Sequence, residues 1–220
     1  MSGLFDFLVA PLAVRPVTLF LVVMAASTGA ALLVRRFYRR TIDRLVTEAA
    51  TDSVLEVMNY RECLHRLAEA IEESRRYEVP FSVCLIDVDG LKQMNDTYGY
   101  LAGDRLLQAF VRLARDSARA TDLIFRYRQG DEFLILARHT SVLGAGVFAE
   151  RLARAFEASR IEVEKDRVLS ATLSVGVVGF DPVKDGAIDG SGLCARAERA
   201  LSLAKKRINA VAIGEQGQGD

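Results

Sequence analysis

The longest uninterrupted apolar stretch of the chain runs from Val17 to Val34, VTLFLVVMAASTGAALLV, 18 residues without a charge. At ~1.5 Å per residue a helix of that length just crosses a bilayer. RRFYRR follows at once, with Arg35, Arg36, Arg39 and Arg40, whereas only Arg15 and Asp6 precede the stretch. That excess of basic residues predicts a single span with the N-terminus outside and the rest of the chain in the cytoplasm. A cleaved signal peptide would want a basic leading region and a shorter apolar core, and neither is present. The earlier LFDFLVAPLAV carries Asp6 and Pro11 and is too short to span, so it is expected at the interface. Ala25 with Gly29, and Ala26 with Ala30, have the spacing that lets two helices approach closely.

Beyond the span the pattern becomes helical. Ile42, Leu45, Val46 and Ala49 predict a stalk that continues the membrane helix, and Leu64, Leu67, Ala68 and Ile71 mark one face of a further amphipathic helix. From Phe81 the periodicity switches repeatedly. FSVCLID reads as a buried strand, Leu106, Leu107, Phe110, Val111 and Ala114 as a helix, and LIFRY and EFLIL as two strands around a turn. Phe148, Leu152, Ala155 and Phe156 give another helix, ATLSVGVV another strand, and Leu193, Ala197, Ala200, Leu201 and Ala204 a last helix. The order β-α-β-β-α-β-α predicts an α+β fold, ferredoxin-like in outline, with a mixed sheet, a central hairpin and covering helices. The expected organisation is an N-terminal segment with the span (1–40), a helical stalk (41–59), one domain (60–215) and a short tail (216–220).

Composition narrows the function. Half the residues are hydrophobic and 29 basic residues balance 29 acidic ones, so no global field attracts nucleic acid. Cys63, Cys84 and Cys194 are unclustered and fit no zinc spacing, and His65 and His139 share no motif with them. All three cysteines read as small core residues.

The acids are more telling. Asp87 and Asp89 stand where an apolar strand breaks into DVDGLKQMND, and Asp131 and Glu132 sit at the hairpin of FRYRQGDEFLIL. If the two strands are neighbours, Asp87 and Asp131 converge, and carboxylates that close repel unless a cation lies between them. Hard oxygens with few protein ligands suit Mg²⁺, which fills its other positions with water and phosphate. On its own, GDEF would equally describe an acidic surface turn.

LIDVDGLKQMNDTYGYLAGDRLL, RATDLIFRY, GDEFLIL, LSATLSVGV and RAERALSLAKKR, in this order and spacing, resemble the GGDEF family of diguanylate cyclases over about Ala50 to Val211. The resemblance implies condensation of two GTP molecules into cyclic di-GMP by two facing domains, hence a homodimer, with Mg²⁺ (or Mn²⁺) as cofactor. It assigns Asp87, the Val88 carbonyl and Asp131 to the metal, and Glu132 to metal binding or activation of the 3′-hydroxyl. Asn95 and Asp104 would read the guanine edge, although alone they suit a helix cap and a helix start. Lys92 and Lys205 would contact phosphates. Arg119 and Asp122 match the RxxD site through which cyclic di-GMP inhibits family members.

Three departures stand out. The usual RYGGDEF is RYRQGDEF here, with Arg128 and Gln129 in place of one glycine; the turn is longer and a residue suited to positive φ is gone. DSVLEVMNYR replaces the family's DxLTGLxNRR, and AKKRINA replaces AKxxGRN, so Ile208, Asn209 and Ala210 stand for glycine, arginine and asparagine. On these changes the reading leans to a membrane-tethered, degenerate domain that binds cyclic di-GMP or GTP and relays the state to a protein partner. The alternative is an active cyclase. Either belongs at a bacterial inner membrane.

Overall fold

In the computed structural model, residues 55–128, 131–164 and 167–214, together with Arg35, are described. The chain divides into two compact units, 1–49 and 50–220. The expected span at 17–34 lies outside the described residues, as do most of the expected stalk and the tail. Among the described residues no helix is long and apolar enough to cross a membrane.

The second unit contains α1 (Tyr60–Tyr77), β1 (Phe81–Val88), α2 (Leu91–Tyr98), α3 (Tyr100–Ser117), β2 (Leu123–Arg126), β3 (Glu132–Ala137) and α4 (Val142–Ala158). A small hairpin of β4 (Ile161–Glu164) and β5 (Arg167–Leu169) follows, then β6 (Leu173–Phe180), α5 (Gly190–Lys205) and β7 (Val211–Ile213). The main sheet has the order β2-β3-β1-β6-β7, antiparallel except for the β6–β7 pair. Its first four strands reproduce the expected βαββαβ arrangement, with the hairpin beside the first strand. β1 and β6 are buried along their whole length. That explains why they read as continuous apolar runs rather than alternating ones.

Helices cover both faces. One core layer unites Cys84, Ile86, Phe133 and Ile135 with Phe110 of α3 and Phe156 of α4. The other unites Val83, Leu85, Phe125, Tyr127 and Leu134 with Leu67 of α1 and Leu193, Ala197 and Leu201 of α5. Local chemistry sets the helix starts. The side chains of Asn59, Ser141 and Asp189 accept backbone N–H bonds at the N-termini of α1, α4 and α5. The seating of α5 depends on Gly176 of β6, where a Cβ would lie 2.3 Å from the Leu201 nitrogen and 2.6 Å from the Ala197 oxygen. Only glycine allows the helix that close.

Two expectations shift. The buried face of α1 consists of Cys63, Leu67, Ala70, Ile71 and Ser74, while Ala68 is exposed; the face is set by small residues that the leucine pattern did not weigh. Residues 55–59 are not helical. Met58 bridges Phe125, its carbonyl accepts from the Arg126 N–H (2.7 Å), and Arg115 of α3 donates to the Glu56 carbonyl. The segment entering the domain is thus laid along β2. All three cysteines are buried and free, and burial pushes the Cys84 thiol up to about 12, which suits core residues.

Candidate active site

The antiparallel register places Asp87 opposite Glu132 of β3 on one side and Ser174 of β6 on the other. Directly paired residues project to the same face of a sheet, and here it is the face that α5 covers. Lys205, in the last turn of α5, brings its Nζ to 2.5 Å from Asp87 Oδ2 and 3.5 Å from Glu132 Oε1. Burial raises the Asp87 carboxyl to about 6, and the charges of Asp131 and Glu132 add to the effect while Lys205 opposes it. For Lys205, burial works against the charge, but the hydrogen bond to Asp87 and the charges of Glu132 and Asp131 outweigh it and raise its pKa. The sequence pairs Asp87 with Asp131, whereas the register makes Glu132 the partner of Asp87. Asp131, one residue earlier, is near enough for its charge to bear on both groups.

This donor set fits a hard divalent cation completed by other oxygens. Among the described residues, no group of three or more His, Cys, Asp or Glu side chains could hold an ion. Two opposed carboxylates bridged by an ammonium remain. They suit Mg²⁺, which binds through one or two carboxylates and takes its other ligands from water and phosphate. The Lys205 ammonium stands in for that positive charge.

Asp89 has a different task. Its carboxylate accepts from Thr172 Oγ1 (2.6 Å), Ser174 Oγ (2.7 Å) and the Asn209 N–H (3.1 Å). It fastens the loop after β1 to β6 and to the chain leaving α5. Val88, the last residue of β1, is buried opposite Leu173 of β6, while Lys92 is exposed in the first turn of α2.

Asn95 and Asp104 are fifth in α2 and α3, respectively, so neither is a helix cap. Asp104 is exposed. Asn95 Oδ1 is buried with no hydrogen-bond partner among the described residues, a costly condition unless a ligand supplies a donor. Gly103 lies against it, where a Cβ would stand 1.9 Å from Asn95 Oδ1.

The lengthened turn closes on a Tyr127 N–H bond to the Glu132 carbonyl (2.8 Å). Arg128, the first residue of the turn, has φ +49°, the left-handed conformation that glycine favours. Its Nη2 lies 2.6 Å from Glu198 Oε1, and its guanidinium sits 5.3 Å from the Tyr127 ring centre and 6.0 Å from that of Tyr60. Tyr127 Oη donates to the same Glu198 oxygen (2.7 Å). Ile208 and Asn209 also have φ +51°. Thus residues other than glycine hold left-handed backbone both at the altered turn and at the altered end of α5. Sequence reasoning missed Tyr60 and Glu198. The available signal was that Glu198 precedes Lys205 by seven residues, which puts both on one side of α5.

The Arg119–Asp122 pair forms a tight turn between α3 and β2. Asp122 Oδ2 accepts from the Arg119 N–H (2.9 Å), and the Asp122 N–H donates to the Arg119 carbonyl (3.0 Å). Asp122 Oδ1 is buried without a hydrogen-bond partner among the described residues, and Arg119 is exposed.

Known proteins resemble the chain over this domain. The family model "Diguanylate cyclase, GGDEF domain" matches residues 49–210. Diguanylate cyclase DosC of Escherichia coli (strain K12) is 29% identical over 181 residues, covering 77% of this chain and 38% of DosC. The chain thus spans well under half the length of that relative. Response regulator PleD of Caulobacter vibrioides is 32% identical over 142 residues, 64% of this chain and 31% of PleD. Among solved structures, diguanylate cyclase SiaD of Pseudomonas aeruginosa, crystallised with its activator SiaC, superimposes with a TM-score of 0.70 at 27% identity, covering 96% of this chain and 80% of SiaD. The chain belongs to the GGDEF family of diguanylate cyclase domains.

Proposed function

We propose that the protein is an active diguanylate cyclase, tethered to the bacterial inner membrane through residues 17–34 and working as a homodimer. The observation that carries this reading is the pairing of Asp87 with Glu132 around the Lys205 ammonium, which supports a site that can still be assembled despite the longer turn. Two further features agree with it. Among the described residues Asn95 Oδ1 has no donor, and a guanine N–H would provide one, whereas the N1 of adenine carries no hydrogen. Asp104 is exposed nearby and accepts from a second guanine N–H.

In the proposed reaction each domain holds one GTP. Asp87, the Val88 carbonyl and Asp131 would hold Mg²⁺ or Mn²⁺, which when bound neutralises triphosphate charge. Lys92 and Lys205 contact phosphate oxygens, and for Lys205 this means exchanging its carboxylate partners for phosphate. Glu132 accepts the proton of the 3′-hydroxyl as that oxygen forms its bond to the α-phosphorus of the facing GTP, and pyrophosphate leaves with the broken bond. A second transfer of the same kind closes the ring. Cyclic di-GMP formed by the full chain from GTP and Mg²⁺, and lost in Glu132→Gln, is the expected result. No product from the wild type with either Mg²⁺ or Mn²⁺ refutes the reading.

A second reading has its own support. Ile208, Asn209 and Ala210 replace the family's Gly-Arg-Asn after the last helix, which weakens the phosphate grip, while Arg119 remains exposed. On this reading the domain senses cyclic di-GMP through Arg119 and Asp122 and signals to a protein partner. Binding of cyclic di-GMP by a protein that makes none would favour it.

A further inference from the structure

The lengthened turn raises a mechanical question: what holds Glu132 in register with Asp87 once the hairpin has gained a residue? An extra residue widens a turn and loosens the aim of the side chains after it. A lone exposed ion pair would do little to restrain it, but the contacts around Arg128 form a network. Glu198 Oε1 takes both Arg128 (2.6 Å) and the Tyr127 hydroxyl (2.7 Å). The guanidinium packs on two tyrosine rings that themselves meet edge to face at 5.0 Å. Tyr127 is fully buried, and its phenol is shifted upward by burial and by the bond to Glu198. Cation–π packing, a shared acceptor and burial of one member are the conditions under which charged contacts fix geometry.

The network leads to the site by a short route. The Tyr127 N–H donates to the Glu132 carbonyl (2.8 Å), so whatever fixes Tyr127 fixes the backbone from which the Glu132 carboxylate projects. Glu198 and Lys205 lie on the same helix, seven residues and ~10 Å apart. The middle of α5 therefore holds the turn, and its last turn holds the Asp87–Glu132 pair. Tyr60, the first residue of α1, joins the cluster directly after the segment that pairs with β2.

We infer that Arg128 and Glu198, acting through Tyr127, are positioning residues that compensate for the added turn residue and keep Glu132 aligned with Asp87 for a divalent cation. Arg128 is thus a repair of the altered signature rather than a mark of decay. The inference rests on the proposed metal site, and its test separates the two. Mn²⁺ affinity of the full chain is measured by electron paramagnetic resonance, alongside thermal melting, for the wild type, Arg128→Ala, Arg128→Lys, Glu198→Gln and the charge swap R128E/E198R. The expected result is a loss of ~10-fold or more in Mn²⁺ affinity for Arg128→Ala and Glu198→Gln. Arg128→Lys, which keeps charge but not the planar fork, should fall between. The charge swap restores the ion pair but neither the carboxylate that accepts from the Tyr127 hydroxyl nor the guanidinium on the rings, so it should recover only part of the affinity; a purely structural role would move the melting temperature and leave the affinity of the folded protein unchanged. If Arg128→Ala fails to fold, Glu198→Gln and the charge swap decide. Wild-type Mn²⁺ affinity in folded Arg128→Ala, or in Glu198→Gln, overturns the inference and leaves the metal site standing. A wild type that holds no Mn²⁺ overturns both.

Discussion

Replacing Asp87 with asparagine should make the metal-free protein more stable while destroying its site. Its side chain is only 11% exposed, and burial holds its carboxyl at about 6 against an ordinary 3.8. Between these values the folded chain binds more protons than the unfolded one. Stability therefore falls as pH rises from about 4 through 6, and above 6 the full cost of the buried charge is present. A carboxyl displaced that far is worth up to ~3 kcal/mol against the charged form. Asp87→Asn removes this cost and also removes the main partner of Lys205. That loss is small, because the Lys205 side chain is 42% exposed and retains Glu132 at 3.5 Å. The net expectation is a gain of ~1–2 kcal/mol at pH 8 and none at pH 4, where the wild-type carboxyl is protonated. Urea unfolding of both proteins at the two pH values, without divalent ions, reads this directly. Adding Mg²⁺ at pH 8 should narrow the gap by stabilising only the wild type. Equal or lower stability of Asp87→Asn at pH 8 would overturn this expectation and make Asp87 a structural ion-pair partner rather than a strained ligand.

Other outcomes follow from the same geometry. Arg119→Ala should weaken cyclic di-GMP binding by ~10-fold or more in calorimetry without a change in melting temperature, since the side chain is exposed. Asp122→Ala should also cost ~1 kcal/mol of stability, because its carboxylate accepts from the Arg119 N–H. Gly103→Ala forces the Asn95 amide, the end of a mobile side chain, to swing away by more than ~1 Å from a contact otherwise at 1.9 Å. It should leave the fold intact, or firmer by ~0.5–1 kcal/mol, yet lower GTP affinity ~10- to 100-fold and erase preference over ATP. Ile208→Gly, at an exposed residue with φ +51°, should stabilise by ~1 kcal/mol in the same unfolding assay.

Much of the architecture was legible because burial on both faces of β1 and β6 leaves long apolar runs, and because covered helices show one apolar stripe each. The β4–β5 hairpin and the three-residue β7 carry too few residues for a period to emerge. The extended segment 55–59 is set by pairing with β2, a contact between distant parts of the chain. In the site, Asp87 and the hairpin acids were legible from their places at strand ends. The anchoring task of Asp89 was not legible, because its three donors, Thr172, Ser174 and Asn209, lie far along the chain. The contribution of Arg128 and Glu198 could not be read, since an ion pair between a turn and a distant helix imposes no local pattern. The departures themselves read as losses of glycine, whereas the backbone at Arg128 and Ile208 still takes the left-handed form.

The Asp87 and Glu132 carboxylates are held close, around Lys205, in readiness for a divalent ion. Carbon-13 NMR titration of the Asp87 side-chain carboxyl, assigned through Asp87→Asn, measures this most directly when run with and without Mg²⁺ and GTP. The expected midpoint is about 6 in the metal-free protein, falling below the ordinary aspartate value of ~3.9 when Mg²⁺ and GTP are added. A midpoint that stays where it is in their presence would contradict that readiness.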